Sequence, residues 1–94
     1  MTLLQLRYVI ATDEEKSMRK AAKRLYVSQP RLSVAIRELE EETGITIFQR
    51  VHNGVVTTSE GKEFIAYARK VIEEYSGLEL RYINKGRKRE SFSV

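Results

Sequence analysis

Few residues of this 94-residue sequence have the types and spacing that enzymatic chemistry requires. There is no cysteine and one histidine, His52, which excludes thiolate chemistry and zinc sites built from cysteine or several imidazole ligands. Glu40, Glu41 and Glu42 are adjacent on a predicted helix and therefore point in different directions, and no serine or lysine has the spacing of a nucleophile site. We expect neither an enzyme nor a bound cofactor or metal.

The basic residues, in contrast, are grouped along the chain. Lysine and arginine total 17 against 13 acidic residues, which gives a net charge of +4. No acidic residue lies between Glu15 and Glu38, and that interval contains Lys16, Arg19, Lys20, Lys23, Arg24, Arg31 and Arg37. Such a block indicates a nucleic-acid-binding face, although charge alone is just as typical of an ordinary solvated surface.

No part of the sequence reads as a membrane or secretion signal. The longest apolar run, Phe64 to Ala68, is far shorter than the roughly 20 residues of a membrane-spanning helix. A basic start followed by an apolar signal core is also missing. We expect no membrane partner and a cytoplasmic location.

Short helices are predicted to position the basic block. Apolar residues at helical spacing predict a first helix that ends at residues 13–15. A second helix begins after Ser17, a suitable N-cap, and ends at Leu25. A third begins after the N-cap Ser28 and ends before Gly44.

The third helix has one apolar face and one face that is small, polar and basic. At 100° per residue, Leu32, Ala35, Ile36 and Leu39 point in one direction. The residues that face away, or flank that direction, are Pro30, Arg31, Ser33, Val34, Arg37 and Glu41. This second face is available to a binding partner.

A β-hairpin and a long helix complete the predicted elements. Asn53-Gly54, between two β-branched segments, predicts a tight turn with positive φ at both residues. A last helix of about 24 residues, about 36 Å long, begins near Thr58 or Ser59. Its apolar residues recur at heptad steps that a head of about 58 residues is too small to cover: Phe64, Ala68, Val71, Tyr75, Leu78 and Tyr82.

Three helices, a two-stranded hairpin wing and a long helix form the order of a mainly α winged helix-turn-helix with a linker helix. The sequence also closely resembles the LysR-type transcriptional regulators, over roughly residues 3 to 82. The resemblance is carried, in order and spacing, by Ser17, Ala21-Ala22, Leu25, Ser28-Gln29-Pro30, Ser33, Ile36, Leu39-Glu40, Gly44, Phe48, Arg50, Thr58 and Gly61. The N-terminal domain of the molybdate-responsive repressors is similar and remains an alternative.

The resemblance implies sequence-specific binding of double-stranded promoter DNA by a homodimer. The third helix would enter a major groove, the wing would lie near the minor groove, and the linker helices would pair antiparallel through the heptad residues. Full-length members add a C-terminal domain that binds a small-molecule effector and takes part in tetramers. We therefore expect residues 1–58 to be the DNA-binding domain, 59–83 the dimerisation helix, and 84–94 a hinge toward an absent effector domain, with a polar linker up to Glu90 and the start of a strand at Ser91.

The resemblance also assigns individual roles. Gln29 and Pro30 would face base edges, while Ser28, Ser33, Arg50 and Thr58 would bind phosphates, and a glutamine amide matches adenine on general grounds. Departures from the family pattern leave the half-site open: Arg31 suits a guanine or a phosphate, and Val34 suits a thymine methyl. The remaining candidate contacts are Arg37, His52 and Asn53.

Each assignment has a plainer alternative. Arg50 could pair with one of the acids at 40–42, and His52 could be only a turn residue. Lys16 stands where the family often has glycine, so the turn before the second helix is uncertain. The whole chain could also be a winged-helix dimerisation module that binds other proteins and no specific DNA.

Overall fold

The computed structural model describes the backbone of residues 1–93 and the side chains through Ile83. Four helices and one antiparallel hairpin follow each other along the chain: α1 Leu3–Glu15, α2 Met18–Leu25, α3 Gln29–Thr43, β1 Phe48–Val51, β2 Gly54–Thr57 and α4 Ser59–Ser93. This is the predicted mainly α winged helix-turn-helix with a long C-terminal helix. We call residues 1–58 the head.

Local capping residues set the helix ends. The Ser17 hydroxyl accepts the Lys20 N–H, and the Ser28 hydroxyl accepts the Arg31 N–H, each at 3.2 Å. Gly44 ends α3 with φ 75°, as predicted. A capping box between Thr2 and Gln5 starts α1; the Thr-x-x-Gln spacing signals it, but it was not predicted.

The core lies where α1, α2 and α3 meet the hairpin and the first half of α4. Leu32 and Leu39 of α3 and Val9 of α1 have no exposed surface, and Ile36 is 1% exposed. Ala21 and Ala22 are buried between α2 and its neighbours, and their small side chains let the helices approach closely. The core fixes α3 with its polar face outward.

The hairpin turn differs from the prediction. Val51 pairs with Gly54, so the two-residue loop is His52-Asn53, and the predicted turn centred on Asn53-Gly54 is wrong. Asn53 does not adopt positive φ, whereas Gly54 does, at 152°. The reason is a distant contact: a Cβ on Gly54 would lie 2.2 Å from the Lys16 carbonyl oxygen, which accepts the Val55 N–H at 3.1 Å.

Lys16 itself ends α1 in the left-handed conformation, with φ 56°. Glycine adopts this conformation without the steric cost of a Cβ, which explains why glycine fits this turn. The lysine therefore makes the turn energetically less favourable than a glycine would, but the connection between α1 and α2 is intact. Tyr26, at φ 58°, plays the same part at the end of α2.

Helix α4 is longer than predicted. It continues to Ser93, beyond the expected end at 83. The predicted polar linker from Asn84 and the predicted strand from Ser91 are therefore wrong for the described residues. Val94 lies outside the described residues. Lysine, arginine and glutamate between residues 85 and 90 are good helix formers, and they outweigh the roughly 1 kcal/mol that one glycine costs relative to alanine. The role of residues 84–94 as a hinge stays a prediction.

Candidate nucleic-acid interface

The first turn of α3 is exposed at its tip and capped at its base. Ser28 uses its hydroxyl for the Arg31 N–H, and proline occupies an early position where no intrahelical donor is needed. Gln29, Pro30 and Arg31 are all exposed. The side chains predicted to face bases are therefore free of the protein interior.

The outward face of α3 is as predicted. Arg31, Val34 and Arg37 are exposed, and Val34 presents 39% of its surface although it is apolar. Ser33 is half-buried beside them. The face combines two cations with one apolar side chain, which suits phosphates and base edges together.

Arg50 connects the hairpin to this helix. Its Nη2 donates to the Ser33 hydroxyl at 3.1 Å and lies 3.6 Å from the Met18 sulfur. The alternative that Arg50 pairs with one of the acids at 40–42 is wrong, because its guanidinium lies against Ser33 and Met18. The Glu40 carboxylate instead accepts the backbone N–H groups of Ile47 and Phe48 at 2.7 and 3.2 Å, and Glu42 pairs with the N-terminal amine. The guanidinium is held by neutral partners and keeps its charge available.

A groove brings together the starts of α2 and α3 and the tip of the hairpin. It is lined by Ser17, Met18, Arg19, Lys20, Gln29 and residues 50–55. Arg19 and Lys20 are exposed at the N-terminus of α2, where the helix dipole adds partial positive charge. The lining is basic and polar and contains no carboxylate, so it can bind a polyanion such as a phosphate backbone.

Comparison with known proteins decides the family. Residues 3–62 match the family described as "Bacterial regulatory helix-turn-helix protein, lysR family". The chain belongs to the lysR family. This confirms the first of the two resemblances, and the match covers α1 through the start of α4.

Relatives and solved structures agree with this assignment. The chain is 39% identical to the HTH-type transcriptional regulator ClcR of Pseudomonas putida, over 92% of this chain and 30% of ClcR. It is 47% identical to BenM of Acinetobacter baylyi (strain ATCC 33305 / BD413 / ADP1), over 77% of this chain and 24% of BenM. It therefore spans less than a third of the length of either relative.

Two crystal structures described as complexes of DNA-binding domains are similar over nearly the whole chain. The CbnR_DBD-DNA complex has a TM-score of 0.79 at 32% identity and covers 100% of both chains. The BenM_DBD/catB site 1 DNA complex has a TM-score of 0.82 at 40% identity, with 93% of this chain and 96% of that chain covered. Both have the fold described above for this lysR-family chain.

Thr58 is the candidate that the fold places apart from the others. It follows β2, at the end of the hairpin opposite the His52-Asn53 tip. Its hydroxyl contacts the Thr46 carbonyl oxygen and accepts the Gly61 N–H at 2.9 Å. Thr58 therefore caps α4, and a phosphate would compete with these bonds.

The heptad residues of this lysR-family helix separate into two groups. Ala68 is 3% exposed and Phe64 is packed against the head's own core, so neither is a free surface. Val71, Tyr75, Leu78 and Tyr82 are 37% to 61% exposed. Tyr67, 62% exposed and four residues before Val71, lies on the same side and was missed because it is out of heptad register. We call these five exposed residues the α4 stripe.

The groove also contains residues at the start of α2 that were not predicted as individual contacts. Ser17, Arg19 and Lys20 line it, and Arg19 and Lys20 belong to the acid-free basic block that indicated a nucleic-acid-binding face. Among the described residues, no group of three histidine, cysteine, aspartate or glutamate side chains is placed to hold a metal ion. Within the same part of the chain, no helix has the length and apolar character to cross a membrane.

Proposed function

We propose that this chain is the DNA-binding and dimerisation module of a LysR-type transcriptional regulator. The observation that carries the proposal is the groove in which two helix starts, the wing tip and an uncompensated Arg50 meet without a carboxylate. Its basic and polar lining suits double-stranded DNA, with α3 in the major groove and the His52-Asn53 tip near the minor groove. The two similar structures, both complexes of DNA-binding domains with DNA, support the same partner.

Within this proposal the residues divide by role. Gln29 reads a base edge, and Arg31 and Val34 set a half-site of this chain's own. Phosphates are bound by Arg50, by Arg37 and by the groove face of α2. The α4 stripe pairs with a second copy, because an exposed apolar row on one helix face is stabilised by a matching row.

The remaining parts of the proposal concern the whole regulator. It acts in the cytoplasm as a non-enzymatic regulator of promoters, supported by relatives that are transcriptional regulators. A further C-terminal domain binds the small-molecule effector and supports tetramers. Residues 84–94 lead toward that domain.

Two substitutions in the groove distinguish sequence-specific recognition of bases from electrostatic attraction to the phosphate backbone. Gln29→Ala weakens binding to the preferred duplex by about 1 to 3 kcal/mol and relaxes sequence preference, whereas Arg50→Ala weakens binding to all duplexes and makes the salt dependence shallower. Fluorescence anisotropy against specific and random duplexes, over a series of salt concentrations, measures both effects. Gln49→Ala is the matched control, because Gln49 is exposed on β1 outside the groove lining.

Equal losses on specific and random DNA for Gln29→Ala would remove that residue from the reading role. The competing function, a protein-binding dimerisation module, predicts tight dimers with no salt-dependent affinity for any duplex.

A further inference from the structure

The end of α1 carries three consecutive carboxylates that face partners from three other elements. Asp13 accepts the Thr57 hydroxyl of β2 at 2.6 Å. Two arginines supply the remaining partners: Arg24 of α2 lies 2.7 Å from Glu14 and 3.1 Å from Glu15, and Arg69 of α4 lies 2.8 Å from Glu14 and 3.6 Å from Asp13. This network joins the wing, the second helix and the long helix at one place.

The three carboxylates need these cations because they stand at the negative end of the α1 dipole. The hydrogen bond from Arg69, followed by that from Arg24, lowers the pKa of Glu14 from its ordinary value of 4.5. Glu14 therefore stays ionised at neutral pH and is shared between the two arginines.

Arg69 holds a particular place along α4. Before it, Gly61, Ile65 and Ala68 are buried against the head. After it, the α4 stripe continues from Val71 toward the free end. Among the described side chains, Arg69 is the residue of α4 that forms ion pairs with the head, at the point where the helix leaves it.

We propose that Arg69 is a positioning residue that sets the angle between the head and α4, and thereby the distance between the two DNA half-sites that a dimer recognises. This inference rests on the proposed function, because spacing has meaning only for a DNA-binding dimer. Arg69 touches no DNA in this account; it acts through Asp13 and Glu14, which also contact the wing and α2.

The geometry makes a small tilt significant. The shorter extents of the molecule are 24 and 20 Å. A tilt of about 5° moves the far side of a head of this width by about 2 Å, and two heads together by about one base-pair rise of roughly 3.4 Å. The planar guanidinium holds two carboxylates of α1 at once, Glu14 by a hydrogen bond from Nη1 at 2.8 Å and Asp13 by an ion pair with Nη2 at 3.6 Å, and this arrangement resists such a tilt better than a single point charge does.

Binding to duplexes of graded spacing tests the role of Arg69. The preferred half-site is placed twice with the spacer shortened or lengthened in single base pairs, and the affinity of the 94-residue chain is measured for each duplex. Arg69→Met should lower the ratio between the best spacing and its neighbours by about threefold, the scale of an exposed ion-pair network. Arg69→Lys should restore part of the ratio, and Arg7→Met is the charge control, because it removes an exposed arginine of α1 that lies outside the carboxylate network and outside the α4 stripe.

The possible outcomes distinguish a failure of the role proposed for Arg69 from a failure of the proposed DNA-binding function. A flattened or shifted spacing profile for Arg69→Met, with the profile of Arg7→Met unchanged, supports the role of Arg69. A uniform loss at every spacing, equal in the two variants, overturns it, since that is general electrostatics. Absence of a preferred duplex for the wild-type chain refutes the proposed function itself. If Arg69→Met does not fold, as judged by urea unfolding, Glu14→Gln serves as the second variant and must change the profile in the same direction.

Discussion

The start of α4, up to Ala68, and the part that follows it differ in how they use apolar side chains. Up to Ala68 the helix packs Phe64, Ile65 and Ala68 against the head, and Gly61 lets the backbone approach the Ile47 carbonyl. The residues of the α4 stripe, which begins at Tyr67 and continues from Val71 to Tyr82, are exposed, and nothing in the chain covers them within the described residues. The start of α4 is stabilised by the fold of the single chain, whereas the later part needs a partner to cover its apolar side chains.

The largest effect is expected on dimerisation, when a charge is placed in the exposed α4 stripe. Leu78→Glu places a carboxylate in the α4 stripe and should weaken dimerisation by about 3 kcal/mol, because a buried unpaired charge is strongly unfavourable. Sedimentation equilibrium measures the change. Leu80→Glu makes the same substitution at an exposed leucine on the opposite side of the helix, and equal weakening by both variants would contradict the assignment of the stripe.

A glycine-to-alanine substitution should have opposite effects on stability at the start of α4 and in its later part. Gly61→Ala puts a Cβ 2.4 Å from the Ile47 carbonyl oxygen and should cost about 1 to 3 kcal/mol of unfolding free energy. Gly77→Ala meets no atom within 4 Å and should instead raise helix stability by up to about 1 kcal/mol. Urea unfolding and far-UV circular dichroism measure the pair, and a loss of stability at both positions would break the comparison.

In the head, Lys16→Gly should raise the unfolding free energy by about 1 kcal/mol, because it relieves a left-handed residue at φ 56°. Lys16→Ala removes the same side chain and keeps the Cβ, so it should give no gain. Thermal unfolding of both variants checks this, and similar midpoints would show that the backbone is not strained there.

The smallest expected effect is the pH dependence of Glu14. Its pKa is lowered by Arg69 and Arg24, so its stabilising contribution is present above about pH 4.5 and is lost as the pH falls through the folded pKa. The nearby Asp13 and Glu15 carboxylates share the two arginines. The stability difference between wild type and Glu14→Gln, below about 1 kcal/mol for an exposed pair, should shrink in acid; a constant difference from pH 7 to 3 would contradict this account.

Sequence reasoning was most accurate where the determinant is local. The Ser17 and Ser28 caps and the Gly44 stop depend on neighbouring residues, and the structure confirms all three. Contacts between distant residues account for the errors. Gly54 is required by the Lys16 carbonyl, and Arg50 finds Ser33 instead of an acid, and neither partner is visible from spacing along the chain.

The exposed face of α3 was predictable for a different reason. Once four apolar positions are assigned to the inner face, helical geometry places Arg31, Val34 and Arg37 outside, as observed. The heptad pattern could not separate Ala68, buried by the head, from Leu78, exposed on the stripe. That division depends on how far the head extends along α4.

Selection of duplexes from a random pool by this chain, at a stated salt concentration, tests the central proposal most directly. The account predicts enrichment of two inverted copies of one half-site at a fixed spacing, with affinity that falls steeply as salt rises. Recovery of unrelated sequences, or of single half-sites without symmetry, would contradict a DNA-binding dimer that reads its operator through α3.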